Sequence, residues 1–304
     1  AIEGTFFFND TATTEIYTPA DRAKVTAWAC ELPAEHDLPL SRWSAVDLAA
    51  QLRRDGIAAS VSTVRRWLDH DALKPWQHRS WIFVRDPDFE AKAAVVLELY
   101  ARTYQGTPLG ADEYVISADE KPSIQARDRC HRTVATRPGH PMRVNHDYHR
   151  RGALAYLAAY DVHQARVFGR CETSTGIKAF TRLVDQVMTS QPYASATRVF
   201  FIVDNGSSHR GTAAIDRLSA RYPNATMIHT PVHASWLNQV EIYFSIVQRK
   251  VLTPNDFPDL TVLEQRLATF QDCYNRTAEP FRWRYTSADL HQHLTRLDHH
   301  TPAA

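Results

Sequence analysis

Cysteine is scarce: Cys30, Cys130, Cys171 and Cys273 are the only four in 304 residues, scattered and without the paired spacing of a zinc site or a disulfide framework. That pattern excludes a disulfide-stapled scaffold and implies a reducing, cytoplasmic setting. Long apolar runs are missing as well. No stretch reaches the roughly 20 residues that a membrane-spanning helix needs, and Phe6-Phe7-Phe8 is far too short for the core of a signal peptide. No membrane partner is expected. Charge of one sign is also lacking, with 35 Lys and Arg against 34 Asp and Glu, a net charge of +1. The total argues neither for nor against nucleic acid, so the distribution of charge has to decide. Internal repeats and low-complexity tracts do not stand out. What is there, 44% hydrophobic and 23% charged residues, is an ordinary globular composition. It is long enough for one large domain, or for a small and a mid-sized one.

Residues 1–18 fit no structural period. After the Phe triplet, "NDTATTEIYT" has neither helical nor strand spacing. Read back into codons as AAT GAT ACG GCG ACC ACC GAG ATC TAC AC, it resembles a common sequencing-library adapter. Residues 1–18 are therefore expected to be an unstructured assembly artefact, set aside from fold reasoning, with the natural frame resuming near Pro19.

Residues 19–82 read as a small all-α region. A short helix over 21–32 puts Val25, Trp28, Ala29 and Leu32 on one face. A second opens at Ser44, carries Val46, Leu48, Ala49 and Leu52 inward, and ends at Gly56. A third starts at Ser60 or Ser62 with Val64, Trp67 and Leu68 inward and Thr63, Arg65 and Arg66 outward. Two helices joined by a tight turn fit a helix-turn-helix, whose second helix reads the major groove from its N-terminal residues. Ser62, Thr63, Arg65 and Arg66 are the DNA-contact candidates. A connecting helix from about Asp88 and a linker complete residues 83–110.

Beyond Gly106 strands alternate with helices. "EYVISAD" reads as a buried strand ending at Asp119, and "ALAYLAAYDV" and "ARVFGRCET" as two more. "TRVFFIVD" ends at Asp204, and "ATMIHTP" is a last strand. Helices cover "TGIKAFTRLVDQVM", "TAAIDRLSARY" and "ASWLNQVEIYFSIVQRKVL", the last with Ser235 as cap and Val240, Phe244, Val247 and Val251 on one face. A further helix covers "LTVLEQRLATFQDCYNRT", and residues 279–304 form a C-terminal tail. The tail's His291, His293, His299 and His300 are discounted as a metal site, because chain ends are commonly disordered.

Two apolar strands thus end in carboxylates, Asp119 and Asp204, at the sheet edge where α/β folds bind ligands. Glu241 lies one step off the apolar stripe of its helix and can join them. Three converging carboxylates repel one another and are best reconciled by a divalent cation; oxygen ligands select Mg²⁺ or Mn²⁺. Two such ions suit phosphodiester chemistry. Charge is meanwhile concentrated from Lys121 to Arg151, where eight Lys and Arg stand against Asp128 and Asp147. Pro122, Pro138, Gly139 and Pro141 make this stretch a loop or hairpin. Its Arg127, Arg129, Arg132 and Arg143 are candidates for phosphate contacts.

The order strand-Asp, strand-Asp, helix-Glu resembles the ribonuclease-H-like catalytic domain of DDE transposases, in the bacterial insertion-sequence branch of the mariner superfamily. "SADEKPSIQARDR" is similar to that family's first-Asp segment, "FFIVDNGSSH" to its second, "HTPVHASWLNQVEIYF" to its Glu helix and "PFRWRYTSADL" to its C-terminal region. The resemblance covers roughly residues 40–295. It implies a mixed five-stranded sheet flanked by helices over 111–278, with Asp119, Asp204 and Glu241 as the metal-binding catalytic triad on two Mg²⁺ or Mn²⁺. Asn205, His209 and Asn238 match family positions that support the acids or contact DNA; Gln239 stands where relatives often have Pro. The resemblance further implies cut-and-paste DNA transposition at TA, with double-stranded DNA (terminal inverted repeats and target) as partner, a homodimer on DNA, and a bacterial, nucleoid-associated location. A nuclease of the same fold without strand transfer, and a catalytically idle DNA-binding remnant, are the alternatives. Relatives carry two helix-turn-helix units. Here one is plausible, with helix 21–32 the remnant of another and the adapter-like residues where the rest would stand, so weak binding of element ends is expected.

Overall fold

The computed structural model describes residues 17–78 and 86–300, with side chains as far as residue 296. Residues 1–16, which hold most of the adapter-like segment, lie outside the described residues, as do 79–85 at the predicted end of the helix-turn-helix region and the last four of the tail. The chain divides into two compact units, Ala1–Trp81 and Ile82–Ala304.

Among the described residues the first unit contains three α-helices, α1 (Pro19–Cys30), α2 (Ala45–Arg54) and α3 (Val61–His70), and a short 3₁₀ helix at Pro33–His36. Each starts where a hydroxyl can satisfy the free N–H groups of a first turn. Thr18 and Ser44 form capping boxes with Asp21 and Asp47, and Ser60 accepts from Thr63 N. Tyr17 and Thr18, assigned to the unstructured leader, therefore belong to this unit. Thr18 caps α1 and the Tyr17 ring meets Trp67 edge-on at 5.1 Å. Val25, Trp43, Leu48, Leu52, Val64 and Leu68 make the shared core, and Gly56, at φ 82°, permits the tight exit from α2.

Three details differ from the sequence reading. Leu32 is 62% exposed because it lies past the C-cap of α1, outside helical register. Val46 is 52% exposed because the buried stripe of α2 is Ala45, Leu48, Ala49 and Leu52, spaced i, i+3, i+4, i+7, and Val46 lies a step round from it. Thr63 is buried, its hydroxyl 2.9 Å from the capping Ser60 Oγ, and is not on the outer face. Ser62, Arg65 and Arg66 are exposed as expected.

The second unit opens with α4 (Phe89–Tyr100) and a minute hairpin, β1 (Thr103–Tyr104) and β2 (Thr107–Pro108). The main sheet follows: β3 (Glu113–Arg129), β4 (Tyr148–Asp161), β5 (Val167–Glu172), then α5 (Ile177–Met188), β6 (Arg198–Val203), α6 (Thr212–Arg221) and β7 (Ala225–His229). The chain ends in α7 (Val240–Lys250), α8 (Leu260–Thr277) and α9 (Ser287–His300). Strand order is β5-β4-β3-β6-β7, with β5, β4 and β3 antiparallel and β3, β6 and β7 parallel. This is the expected mixed five-stranded sheet.

Strand alternation divides the core into two layers. On β6, Phe200 and Ile202 face α4, α7 and α8, whereas Val199, Phe201 and Val203 face α5 and α6. On β3, Ile116 and Ala118 belong to the α5/α6 layer, yet Ile124 and Ala126 belong to the opposite one. The reversal comes from a bulge: Lys121 pairs with Tyr156 but Ile124 pairs with Leu154, so an extra residue on β3 turns the alternation over.

The first strand therefore does not end at Asp119 but runs ten residues further, to Arg129. With the start of β4 it forms a two-stranded arm that carries the basic stretch. Two small bridges, Val134 to Arg143 and Arg137 to His140, continue it toward the tip. The tail also differs from expectation. Thr286 and Asp289 cap α9, Leu290 is buried, and the helix packs on α4. Among the described residues no helix is long and apolar enough to cross a membrane.

Candidate active site

Asp119 and Asp204 meet through strand register. Ser117 of β3 pairs with Ile202 of β6 in parallel, strands spaced about 4.8 Å apart; Asp119 follows two residues on in β3, and Asp204 stands one residue past the end of β6. Odd residues before the bulge in β3 point toward α7. Ser117 and Asp119 therefore face that helix, and Glu120 faces the α5/α6 layer.

Glu241 arrives in the first turn of α7, which is fastened to β3 by buried polar groups. The Ser117 hydroxyl donates to Asn238 Oδ1 and accepts from Val240 N at 2.8 Å. Asn238 Nδ2 donates to Ala118 O at 3.0 Å and reaches Asp119 Oδ2 at 3.4 Å. From α4, the Tyr100 hydroxyl donates to Leu237 O at 2.6 Å and accepts from Gln239 N at 3.3 Å. Residues 235–237 form a 3₁₀ turn and α7 starts only at Val240, so Ser235 is not its cap.

Asp204 is held from the other side. Its Oδ1 accepts from Gly206 N at 2.7 Å and bonds His209 Nε2 at 2.5 Å. His209 is fully buried, and the Ser208 hydroxyl lies 2.9 Å from its Nδ1 and 3.2 Å from Glu120 Oε1. The other Glu120 oxygen is buried without a hydrogen-bond partner, 4.0 Å from His209 Nδ1. Gly206 leaves no room for a side chain: a Cβ there would stand 2.9 Å from Asp204 Oδ1 and 3.0 Å from His209 Nε2. Gly206→Ala is therefore expected to push Asp204 off its position and cut strand cleavage about 100-fold, the cost of a misplacement of about 1 Å. Cleavage rates compared with a thermal melt separate this effect from unfolding.

The acids feel one another. Burial pushes the Asp119 carboxyl up to about 8, and the charges of Asp204, Glu120 and Glu241 push the same way. Glu120 is raised by burial and by Asp204, against the pull of His209. Burial and Asp204 also raise Glu241, while the Lys121 ammonium opposes them. Asp204 alone is lowered, chiefly by its bond to His209. One acid is held ionised beside three that resist ionising.

Residues 114–264, a span that holds all three acids, match the family described as DDE superfamily endonuclease. Over this segment the chain is similar to DDE superfamily endonuclease domains. Solved structures agree on the fold. The Mos1 mariner paired end complex with Mn superposes with a TM-score of 0.54 at 15% identity, over 95% of this chain and 80% of that one. The Mos1 paired end complex with Mg gives 0.52 at 16% identity, over 97% and 82%. The Mos1 strand transfer complex gives 0.52 at 15% identity, over 93% and 78%. At such identities the likeness concerns the fold, which is ribonuclease-H-like. No curated protein matches the sequence significantly.

The donor set of this site suits a hard divalent cation, since Asp119, Asp204 and Glu241 offer only carboxylate oxygens. Asp119 and Glu241, whose carboxyls burial and neighbouring charges push upward, would be relieved by a positive charge among them. Among the described residues no three His, Cys, Asp or Glu side chains are already drawn close enough to grip an ion. Asp204 Oδ1 is engaged by His209.

Of the predicted supporting residues, His209 and Asn238 are buried against Asp204 and Asp119, where they can position the acids and cannot reach DNA. Asn205 donates to Thr230 O at 2.8 Å and ties the β6 end to the chain leaving β7. On the basic arm, Arg132 and Arg143 are exposed. Arg129 is not free: its Nε donates to Asn255 O at 2.8 Å and its Nη1 to Asn145 O at 2.9 Å. The Arg127 guanidinium lies 4.7 Å above the Tyr148 ring. Sequence reasoning missed Ser117, Tyr100, Ser208 and the supporting role of Glu120. Only Glu120 left a signal, as a second acid directly after Asp119.

Proposed function

We propose that this chain is a metal-dependent DNA transposase that cuts phosphodiesters at element ends and joins the freed 3′-hydroxyls to target DNA. The observation that carries this reading is that Asp119 of β3, Asp204 just past the end of the adjacent parallel β6 and Glu241 of α7 lie close enough for their charges to act on Asp119, inside the segment that matches the DDE superfamily endonuclease family. The likeness of the fold to the Mos1 paired end and strand transfer complexes supports it.

Asp119, Asp204 and Glu241 would hold two Mg²⁺ or Mn²⁺. When bound, such a pair activates the attacking oxygen and stabilises the leaving oxygen of an in-line displacement. The chain's own part is placement. Ser117 and Asn238 fix α7 against β3, and His209 with Gly206 fixes Asp204, so the three carboxylates keep their relative positions through both cutting and joining. Arg132 and Arg143 are free to follow the phosphate backbone. Ser62, Arg65 and Arg66 are exposed at the start of α3, where a helix-turn-helix presents its contacts; buried Thr63 is left out. Insertion at TA, a dimer on paired ends and a nucleoid-associated role in a bacterium follow the family resemblance.

The test uses a linear fragment carrying the gene with its flanks, a circular target plasmid and Mn²⁺. Joints between fragment ends and plasmid, flanked by duplicated TA, are the expected product. Cut ends without joints would mean a nuclease, and binding without cutting would mean an idle remnant.

A further inference from the structure

The bulge in β3 does more than reverse the strand. Beside it lies a cavity of about 260 Å³ walled by Lys121, Ser123, Gln125 and Arg127 of β3, Gln248 of α7, and Asn255. No Asp or Glu is among its lining residues. Asn255 braces the wall, donating from Nδ2 to Gln125 O at 2.7 Å and accepting from Arg127 N at 3.0 Å. Arg127 Nε and Gln125 Oε1 are buried without hydrogen-bond partners, so hydrogen-bonding capacity in the wall is unspent.

The cavity is aligned with the acids. Lys121 follows Asp119 by two residues, on the same face of β3. Gln248 follows Glu241 by seven residues, two turns along the same face of α7, a distance of about 10 Å at about 1.5 Å per residue. A strand of nucleic acid crossing the acids along α7 would therefore pass the cavity. Lys121 also lies near Glu241, but two cations around a space this small, with no carboxylate in its lining, suit a tetrahedral oxyanion.

We propose that this cavity binds one backbone phosphate of the DNA strand held at the acids, within about three nucleotides of the cut, taking about 3.4 Å per nucleotide. The assignment rests on the DNA-cutting function proposed above. Lys121 supplies a mobile ammonium, and Arg127, propped on Tyr148, a fixed guanidinium. Ser123, extruded at the bulge with φ 57°, adds a hydroxyl.

The test measures binding of a fluorescent 20-base-pair mixed-sequence duplex by the full chain, without metal, from 50 to 200 mM KCl. Lys121→Gln is expected to reduce the slope of log K against log salt by about 0.9, the value of one phosphate contact. Gln248→Trp changes no charge but fills the cavity, and is expected to reduce the slope equally. The double variant should lose no more than either single one. Thermal melts check that each variant folds. A slope untouched by Gln248→Trp, or additive losses in the double variant, would overturn the site, since Lys121 would then act only as a general charge. In a second arm, inorganic phosphate is added to the melts. Stabilisation of the wild type that Lys121→Gln abolishes, with unchanged duplex slopes, would mean a free-anion site and overturn the DNA assignment. Slopes that behave as expected in a protein that cuts no DNA in Mn²⁺ would leave this site standing and remove the transposase reading instead.

Discussion

Asp204→Asn is expected to lower Mn²⁺-dependent strand cleavage about a thousandfold or more while the protein stays folded. Asp204 is the acid whose surroundings keep it ionised, through His209 Nε2 and Gly206 N. An amide in its place keeps the shape and loses the charge. Metal-assisted phosphoryl chemistry draws several kcal/mol of transition-state stabilisation from such a site, and each ~1.4 kcal/mol is tenfold in rate. Thermal melts should barely change, because Asp204 is partly open to solvent and Asn can still accept from Gly206. A melt within a few degrees of wild type together with full activity would remove Asp204 from the chemistry.

The second large effect is on stability, and it runs opposite to activity. The Asp119 carboxyl is pushed from 3.8 up to about 8 by burial and by the surrounding acids. Between those values the folded chain holds a proton that the unfolded chain has released. Metal-free stability must therefore fall as pH rises from about 4 to about 8, and level off above. Glu120 and Glu241 are raised too and add to the same trend. Asp119→Asn removes the charge that cannot be accommodated. At pH 8.5 without metal, the variant is expected to be more stable than wild type by on the order of 2 kcal/mol, or about 5 °C in melting temperature. At pH 5.5 the gap should be clearly smaller, because less of the wild type's stability has been lost. Added Mn²⁺ should stabilise the wild type at pH 8.5 and leave the variant unmoved. A wild type whose metal-free melting temperature rises between pH 6 and 8.5 would contradict this account.

Much of the site was legible because its carriers are apolar. "TRVFFIVD" reads as a buried strand, and alternation places its terminal Asp. The stripe of Val240, Phe244, Val247 and Val251 fixes which way Glu241 turns, and all four are buried. The remainder of β3 was hidden for the complementary reason. From Glu120 to Arg129 the strand is held by pairing with β4 more than by burial, so its polar residues read as a loop. The start of α7 was misplaced because a 3₁₀ turn intervenes and the helix is anchored by a side chain 123 residues earlier, Ser117, which no local pattern announces. Thr63 was misjudged because the hydroxyl that joins the cap of α3 also turns its side chain inward. The order in the tail depends on Leu290 finding α4, a contact distant in sequence.

The most direct test of the central claim is anomalous diffraction from crystals of the protein soaked in Mn²⁺. Manganese peaks ligated by Asp119, Asp204 and Glu241 are the predicted result, with the peaks lost in Asp204→Asn crystals. Full-occupancy manganese elsewhere on the molecule, with none among these three carboxylates, would contradict it.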